Sequence, residues 1–268
     1  MQVIDTWVNV DMPSRPDPWQ RLAAKELFKR NPDEVFRPID VDELVEKMDQ
    51  AGVKKSVLTL QAMRPSSQVL KFAEQAPDRF VFSLLVDPRG GYNALKNFEA
   101  VAQAHPVVLA RVIPSLLNVP PDDRIYYPLY AKCCDMDLPI SVNTGIPGPP
   151  LPGRCQDPMH LDEVCLFFPE LTIIMAHGAD PWWEVAIRLM LKYPNLYLKT
   201  SAYAPKYLPK CLLDFMDSRG THKVLFGSDF PFLDPNRCIE EARALPLSSE
   251  AQDNFLHGNA ARVLFRET

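Results

Sequence analysis

A regular alternation of short apolar runs with amphipathic stretches extends over almost the whole sequence, and it restricts the possible folds more than any other feature. Apolar or alternating runs indicate strands, and stretches with an apolar residue every three to four positions indicate helices. The runs that we predict as strands are 3–10, 56–61, 80–86, 107–113, 138–144, 171–177, 196–201 and 223–229. The stretches that we predict as helices are 41–51, 66–76, 94–105, 125–136, 161–168, 181–192 and 206–219, followed by a helical tail.

Eight strands that alternate with helices in 268 residues predict a single (β/α)8 TIM-type barrel over residues 1–268. The alternative is an open doubly wound sheet, which usually has fewer strands and a glycine-rich phosphate turn. The sequence contains no G-x-G-x-x-G motif and no P-loop. Residues 11–38 depart from the alternation, because they insert a stretch rich in proline, charge and aromatic residues before the first helix. We predict that this stretch is a lid or an interface insertion.

Composition and charge exclude several classes of function. Hydrophobic residues make up 47% of the chain and charged residues 24%, which is typical of soluble globular proteins. The net charge of −5 disfavours a nucleic-acid partner, which would require a basic surface. No apolar run approaches the ~18 residues of a membrane-spanning helix, and no signal peptide is visible. We therefore expect a cytoplasmic protein without a membrane partner, whose six cysteines are reduced thiols.

Proline is unusually frequent, with 27 prolines against 10 glycines. Eleven of the prolines lie in two segments, 11–38 and 139–158. Both segments follow predicted strands, and both are expected to be stiff. They either shape a pocket or only cover the mouth of the barrel.

Polar side chains stand where several predicted strands end, which is where the active site of such a barrel forms. The first strand places Asp5, Trp7 and Asn9 on one face, because alternate residues of a strand share a face. His177 and Asp229 end two further strands, and we predict that they are the catalytic acid/base pair. In the alternative interpretation, His177 only bonds a backbone carbonyl and Asp229 only caps the helix after it.

Further side chains near strand ends are candidates for binding the substrate. Arg111 and Lys199 could hold a substrate carboxylate, although either could also be ordinary polar filler of the barrel. The residues that we predict to bind the substrate are Trp7, Asn9, Asn143, Arg111, Lys199 and Tyr203.

Four segments carry a resemblance to a known family: LTIIMAHGADPWW, YPNLYLKTSAY, HKVLFGSDFPF and the terminal HGNAARVLF, in this order. In them the chain resembles the amidohydrolase-related branch of the amidohydrolase superfamily, over nearly its whole length. That branch includes aminocarboxymuconate semialdehyde decarboxylase, hydroxybenzoate and resorcylate decarboxylases, and a pyrone-dicarboxylate lactonase. The resemblance implies a barrel that hydrolyses or decarboxylates a small, often aromatic, carboxylate.

The chain departs from this branch at the metal ligands that the resemblance implies. The branch ends its first strand in Asp-x-His-x-His, and here the two histidines are replaced by Trp7 and Asn9, while Asp5 is kept. The histidine expected at the end of the fifth strand is replaced by Asn143. Zinc sites use Cys, His and carboxylate ligands, and a hard cation needs more carboxylate charge than Asp5 and Asp229 supply. We therefore predict no bound catalytic metal and no other cofactor.

These observations predict a metal-independent hydrolase of a small carbonyl or carboxylate compound. Asp229 would be the base, His177 would polarise the carbonyl or donate a proton, and Asn9 and Asn143 would supply amide hydrogen bonds. One alternative is a decarboxylase, in which Arg111 or Arg154 would hold the substrate carboxylate.

Another alternative is a non-catalytic binding protein with Trp7 packed across a closed site. A homodimer is also expected, since members of the branch are often dimers. The apolar side chains of 11–38 that would suit its interface are Trp19, Leu22, Phe28, Val35 and Phe36.

Overall fold

Eight parallel strands pair in chain order in the computed structural model, which describes residues 2–267. The strands are β1 (Val3–Val8), β2 (Val53–Gln61), β3 (Phe80–Leu85), β4 (Val107–Val112), β5 (Ile140–Asn143), β6 (Ile173–Ala176), β7 (Leu196–Lys199) and β8 (Val224–Leu225). Backbone hydrogen bonds then join β1 to the β8 segment, from Thr6 N–H to Phe226 O at 3.2 Å and from Asn9 N–H to Phe230 O at 2.8 Å. The sheet is therefore a nearly closed (β/α)8 barrel, and the predicted fold is confirmed.

Helices alternate with the strands and cover the outside of the barrel. They are α1 (Pro18–Glu26), α2 (Pro32–Val35), α3 (Val41–Ala51), α4 (Ser67–Gln75), α5 (Gly91–Ala104), α6 (Pro114–Leu117), α7 (Tyr127–Asp135), α8 (Leu161–Phe167), α9 (Trp183–Lys192), α10 (Lys210–Met216), α11 (Pro235–Arg243), α12 (Ser249–Asp253) and α13 (Asn259–Phe265). Helix α3 has the predicted bounds, because Asp40 caps its first turn and Gly52 ends it in a left-handed conformation at φ 73°. No helix within residues 2–267 combines the length and apolar composition needed to cross a lipid bilayer.

Seven of the eight strands end earlier than the sequence predicts, most clearly β8, whereas β2 ends at the predicted Gln61. The prediction for β8 was 223–229, and the ladder covers only Val224–Leu225. The chain then continues beside β1 to Asp229, which adopts a left-handed backbone at φ 66°. His177 has the same φ of 66° just after β6. Both predicted catalytic residues therefore stand on the turns that follow their strands.

The N-terminal end of the barrel is closed by the C-terminal helix. Side chains of α13 pack with apolar residues from six strands, which are Ile4, Val57, Val81, Leu109, Ile174 and Leu225. The buried Asn259 anchors this helix, since its Nδ2 donates to Val224 O at 2.8 Å and to Thr221 O at 3.0 Å. The asparagine of the HGNAARVLF motif is therefore structural.

A buried carboxylate reinforces the closure between β1 and β8. Asp5 accepts hydrogen bonds from the backbone N–H of Ser228 at 2.8 Å, from the Ser228 hydroxyl at 2.5 Å and from the N–H of Trp7 at 3.2 Å. Burial raises the pKa of Asp5 to about 6. The aspartate of the first strand and the serine of GSDFP thus fix the two strands that carry Trp7 and Asp229.

Replacing Asp5 with alanine is expected to lower the free energy of unfolding by about 3–5 kcal/mol, because three buried donors lose their acceptor. Urea unfolding followed by circular dichroism measures the loss. Asp5→Asn is the matched control and should lose less, since its amide oxygen still accepts one bond. A stability loss below about 1 kcal/mol in the alanine variant would show that this carboxylate does not hold the closure.

Residues 11–38 form α1 and α2 and pack on the C-terminal side of the barrel. Their inner side chains Ala24, Val35 and Phe36 are buried with Phe232 packed against them. Val35 and Phe36 are therefore covered within the chain and are unsuited to the dimer contact that the sequence suggested. Leu22 remains 60% exposed. The roles of this segment as a lid and as an interface remain predictions.

Candidate active site

A cavity of about 1080 Å³ opens at the C-terminal ends of the strands. This is at the upper end of the volumes of small-molecule sites. The predicted site residues that line it are Trp7, Asn9, Arg111, Asn143, His177, Tyr203 and Asp229. Two predicted candidates lie elsewhere: Lys199 is fully buried below the cavity, and Arg154 is exposed outside it.

The two proline-rich segments form much of the cavity wall. Residues 11–38 contribute Trp19 and Phe28, and the connection after β5 contributes Ile146, Pro147 and Leu151. The wall is therefore mostly apolar, whereas the floor that the strand ends form is polar. Both segments border the space where a ligand would lie, in addition to covering the barrel.

His177 is held in place by the loop after β7. Its Nδ1 lies 3.1 Å from Ser201 O and 3.0 Å from Ser201 Oγ. The next residue, Gly178, also has a positive φ of 66°. A Cβ at Gly178 would lie 2.2 Å from Cη2 of Trp183, so only glycine allows this indole to pack there. The HG dipeptide of the motif thus fixes the turn that presents the imidazole.

The contact of Nδ1 of His177 with Ser201 O favours a proton on Nδ1, because a carbonyl oxygen only accepts, and this tautomer leaves Nε2 as an acceptor. In the other tautomer the Ser201 hydroxyl would donate to Nδ1. Burial and the Arg111 charge lower the pKa of His177 to about 3, which keeps the ring neutral at physiological pH. The alternative interpretation from the sequence, in which His177 bonds a backbone carbonyl, is therefore confirmed for that contact. The predicted role of His177 in polarising a carbonyl or donating a proton stays a prediction.

Asp229 is a buried carboxyl beside a cation and an amide. Its Oδ1 accepts a hydrogen bond from Asn9 Nδ2 at 3.2 Å. Burial raises its pKa to about 7, although Arg111 and Asn9 oppose the shift. Asp229 can therefore donate or accept a proton near neutral pH. It does not cap the following helix α11, because Asp234 does.

A directed chain of hydrogen bonds connects Arg111 to Asp229. Nη1 of Arg111 donates to Oγ1 of Thr59, and the Thr59 hydroxyl donates to Oδ1 of Asn9 at 2.8 Å. The amide of Asn9 then donates to Oδ1 of Asp229, and the Trp7 side chain also interacts with this carboxyl. Sequence reasoning missed Thr59. Its signal was the pair Thr59 and Gln61 at the end of β2, two polar residues on one face of an apolar strand.

Two buried polar atoms on the floor have no partner among the described residues. These are Nε of Arg111 and Oδ1 of Asn143. Burial lowers the pKa of Arg111 to about 9, which still leaves it protonated at neutral pH. Buried polar groups are normally paired, so Arg111 and Asn143 keep hydrogen-bonding capacity that the described residues do not use, as do Ser141, Lys199 and Thr200.

The model of the amidohydrolase family matches residues 4–266. The chain belongs to the amidohydrolase family. No curated protein matches this amidohydrolase-family chain significantly.

Solved structures with the same fold include three that align over almost all of the chain. An uncharacterized TIM-barrel protein from Bordetella bronchiseptica is 24% identical, with a TM-score of 0.80 and 99% of each chain covered. The 5-carboxyvanillate decarboxylase of Sphingomonas paucimobilis is 16% identical, with a TM-score of 0.75 and coverage of 100% and 99%. The 2,6-dihydroxybenzoate decarboxylase from Rhizobium is 17% identical, with a TM-score of 0.72 and coverage of 100% of both chains. At these identities the similarity shows the fold alone.

The residues on the floor do not fit the metal that this family implies. No group of three or more His, Cys, Asp or Glu side chains converges within residues 2–267. The indole of Trp7 has no lone pair for a metal, and it lies 4.2 Å from the His177 ring. Asp229 and His177 are left without a third strong ligand, whereas catalytic zinc sites normally have three.

Metal analysis of the protein tests this donor set directly. Protein purified without chelator should contain less than about 0.1 zinc or manganese per chain, because two strong donors hold these ions weakly. Inductively coupled plasma mass spectrometry measures the content. Incubation with EDTA should also leave thermal stability unchanged. A content near one ion per chain would contradict the prediction.

Proposed function

We propose that this chain is a metal-independent enzyme that decarboxylates a hydroxylated aromatic carboxylate, or a similarly flat conjugated one. The observation that carries the proposal is Arg111, a buried guanidinium that lines the cavity and forms no salt bridge among the described residues. An unpaired buried cation is costly, and a substrate carboxylate would pair it.

The second unpartnered atom supports a hydroxyl group on the substrate. Oδ1 of Asn143 accepts, so its partner must donate. Arg111 pairs with Ser141 across β4 and β5, which places Asn143 two residues further along on the same face. A ring that carries a carboxylate and a hydroxyl could reach both groups, while the apolar wall covers its faces.

Asp229 can supply the proton that decarboxylation requires. The carboxyl proton of Asp229 would pass to the ring carbon that bears the carboxylate. The bond from that carbon to the carboxylate then breaks, carbon dioxide leaves, and the electrons of the broken bond restore the aromatic ring. Water returns a proton to Asp229. Neutral Asp229 is available because its pKa lies at about 7.

The similar structures support this class of substrate. Two of them are named as decarboxylases of 5-carboxyvanillate and 2,6-dihydroxybenzoate, both of which are aromatic acids. An open cavity lined by both His177 and Asp229 also favours an enzyme over a closed, non-catalytic protein. Trp7 lies on the floor of the cavity and does not block its mouth.

Hydrolysis, the function first predicted from the sequence, is the second candidate. The observation that favours it is the tautomer of His177, whose Nε2 is an acceptor on a residue that lines the cavity. Such a nitrogen could take a proton from water, as Asp229 in its ionised form could. Arg111 would then stabilise the negative charge on the attacked carbonyl.

The pH profile distinguishes the two reactions, because they need opposite forms of Asp229. The folded pKa of about 7 lies above the ordinary value of 3.8, so the carboxyl is protonated below pH 7. Decarboxylation should therefore be constant below this pH and lose about tenfold in kcat/KM per unit above it. Hydrolysis with Asp229 as the base should instead decline below pH 7. Profiles are measured on substrates found in a panel of hydroxybenzoates, lactones and esters.

Product analysis provides the matching chemical readout. A decarboxylase releases ¹³CO₂ from carboxyl-labelled substrate and takes up deuterium on the ring in D₂O. A hydrolase incorporates ¹⁸O from labelled water into its product. If no compound of the panel is converted and none binds, the proposed function is wrong.

A further inference from the structure

The indole of Trp7 lies at the centre of the floor and contacts side chains from three other strands or their following loops. Cζ of Arg111 lies 3.1 Å from the ring centroid, and Nζ of Lys199 lies over the same ring at 4.4 Å. The His177 ring meets it edge-on at 4.2 Å. The backbone of Trp7 also accepts a hydrogen bond from Asp229 N–H at 3.0 Å. The indole of Trp7 thus contacts Arg111, Lys199 and His177, and its backbone bonds both Asp229 and Asp5.

Few other contacts restrain Arg111. Its Nη1 donates to Thr59, whereas Nε has no partner among residues 2–267. No described carboxylate forms a salt bridge with it. The face of an indole attracts a guanidinium through the ring quadrupole, most strongly where water is excluded. The indole and Thr59 therefore both contact this buried cation directly, while the charge of Asp229 attracts it without a salt bridge.

We infer that Trp7 is a positioning residue that takes the place of a metal ion: its indole holds the Arg111 guanidinium on the floor, ready to bind the substrate carboxylate. The inference rests on the proposed function for the identity of the ligand. Family members with a metal have an imidazole at this position, according to the resemblance described above. An imidazole is a smaller ring with a lone pair, whereas an indole offers a large face and no lone pair to a metal.

Thr59 completes the arrangement from the other side. Because Nη1 is engaged by Thr59, the guanidinium cannot rotate freely over the ring. The guanidinium donors other than Nη1 then remain for the ligand. A lysine in place of Arg111 would lose both the stacking on the indole and the paired donors, since its ammonium is a point charge on a flexible chain.

Nuclear magnetic resonance tests the stacking without any ligand. The Nε–Hε signal of Arg111, identified by its loss in Arg111→Lys, should be shifted by the ring current of Trp7. The shift should be present in the wild type, reduced in Trp7→Phe and absent in Trp7→Leu. A wild-type signal at the ordinary arginine position would overturn the inference, whatever the protein binds.

A double-mutant cycle with benzoate as the probe tests the positioning. Isothermal titration should show benzoate binding weakened about 5- to 30-fold in Trp7→Leu, and by less than about threefold in Trp7→Phe. In an Arg111→Gln background, Trp7→Leu should have almost no further effect, because Trp7 acts through Arg111. An equal loss in both backgrounds would mean that Trp7 contacts the ligand directly or only supports the fold, and would overturn the inference.

The two experiments separate this inference from the proposed function. Circular dichroism spectra and melting temperatures confirm that each variant is folded, and Trp7→Phe keeps the test valid if Trp7→Leu does not fold. If the ring-current shift is present but the wild type binds neither benzoate nor hydroxybenzoates, the proposed function fails along with the positioning role for a carboxylate. If benzoate binds without coupling between Trp7 and Arg111, only the positioning role fails.

Discussion

Replacing Asp229 with asparagine is expected to lower kcat/KM about 10²–10⁴-fold for any compound that the wild type converts. Both candidate reactions depend on a proton that moves to or from this carboxyl group, and asparagine neither donates an acidic proton nor accepts one as a base. Its amide has nearly the same shape and can still accept the hydrogen bond from Asn9. Steady-state kinetics at pH 6 and pH 8 measure the effect.

Binding and a second aspartate provide the controls for this variant. Benzoate affinity should change by less than about threefold, since Arg111 supplies the charge that binds the carboxylate. Asp11 also borders the cavity, but its side chain is exposed to solvent, whereas that of Asp229 is buried. Asp11→Asn should therefore keep the wild-type rate. An Asp229→Asn variant with the wild-type rate would exclude Asp229 from the chemistry.

Introducing histidines at 7, 9 and 143 is expected to create a metal site that the wild type lacks. The variant Trp7→His with Asn9→His and Asn143→His should bind Zn²⁺ with a Kd of about 1 µM or tighter, whereas the wild type should bind more weakly than about 1 mM. The reason is the number of donors, since three imidazoles and Asp229 reach the ligand count of a catalytic zinc site. Isothermal titration with Zn²⁺ and Mn²⁺ measures the gain.

The matched control changes the same positions without adding imidazoles. Trp7→Phe with Asn9→Gln and Asn143→Gln should remain unable to bind either metal. If the histidine variant is folded but binds no metal, the lack of imidazole donors is not the reason for the weak metal binding expected of the wild type. The positive charge of Arg111 beside the floor would then be the group that excludes a cation.

The sequence predicted the barrel because its alternation repeats eight times, and each repeat depends only on local patterns. It placed His177 and Asp229 at strand ends for the same reason. It predicted their strands as too long, because each run continues from the last paired residue up to the residue whose positive φ turns the chain. No local pattern distinguishes the last strand residue from the first turn residue in such a run.

The connections between the site residues were not predictable from one chain. The chain from Arg111 through Thr59 and Asn9 to Asp229 joins four strands or the loops after them, and depends on side-chain rotamers and on the closure of the barrel. The sequence placed Lys199 among the substrate-binding residues because it ends a strand. In the structure Lys199 is fully buried and does not line the cavity, and its Nζ lies over the Trp7 ring.

His177 and Asp229 both have a left-handed backbone, which lowers the stability of the fold at the two positions that carry the predicted catalytic side chains. A residue with a Cβ costs about 1–2 kcal/mol in this conformation, whereas glycine adopts it freely. Glycine at either position would remove this backbone cost, but it would also remove the reactive group and its hydrogen bonds. At Trp7 and Asn9 the backbone is ordinary, so their side chains carry no such cost. The barrel therefore accepts backbone strain at the two turns that present its reactive groups.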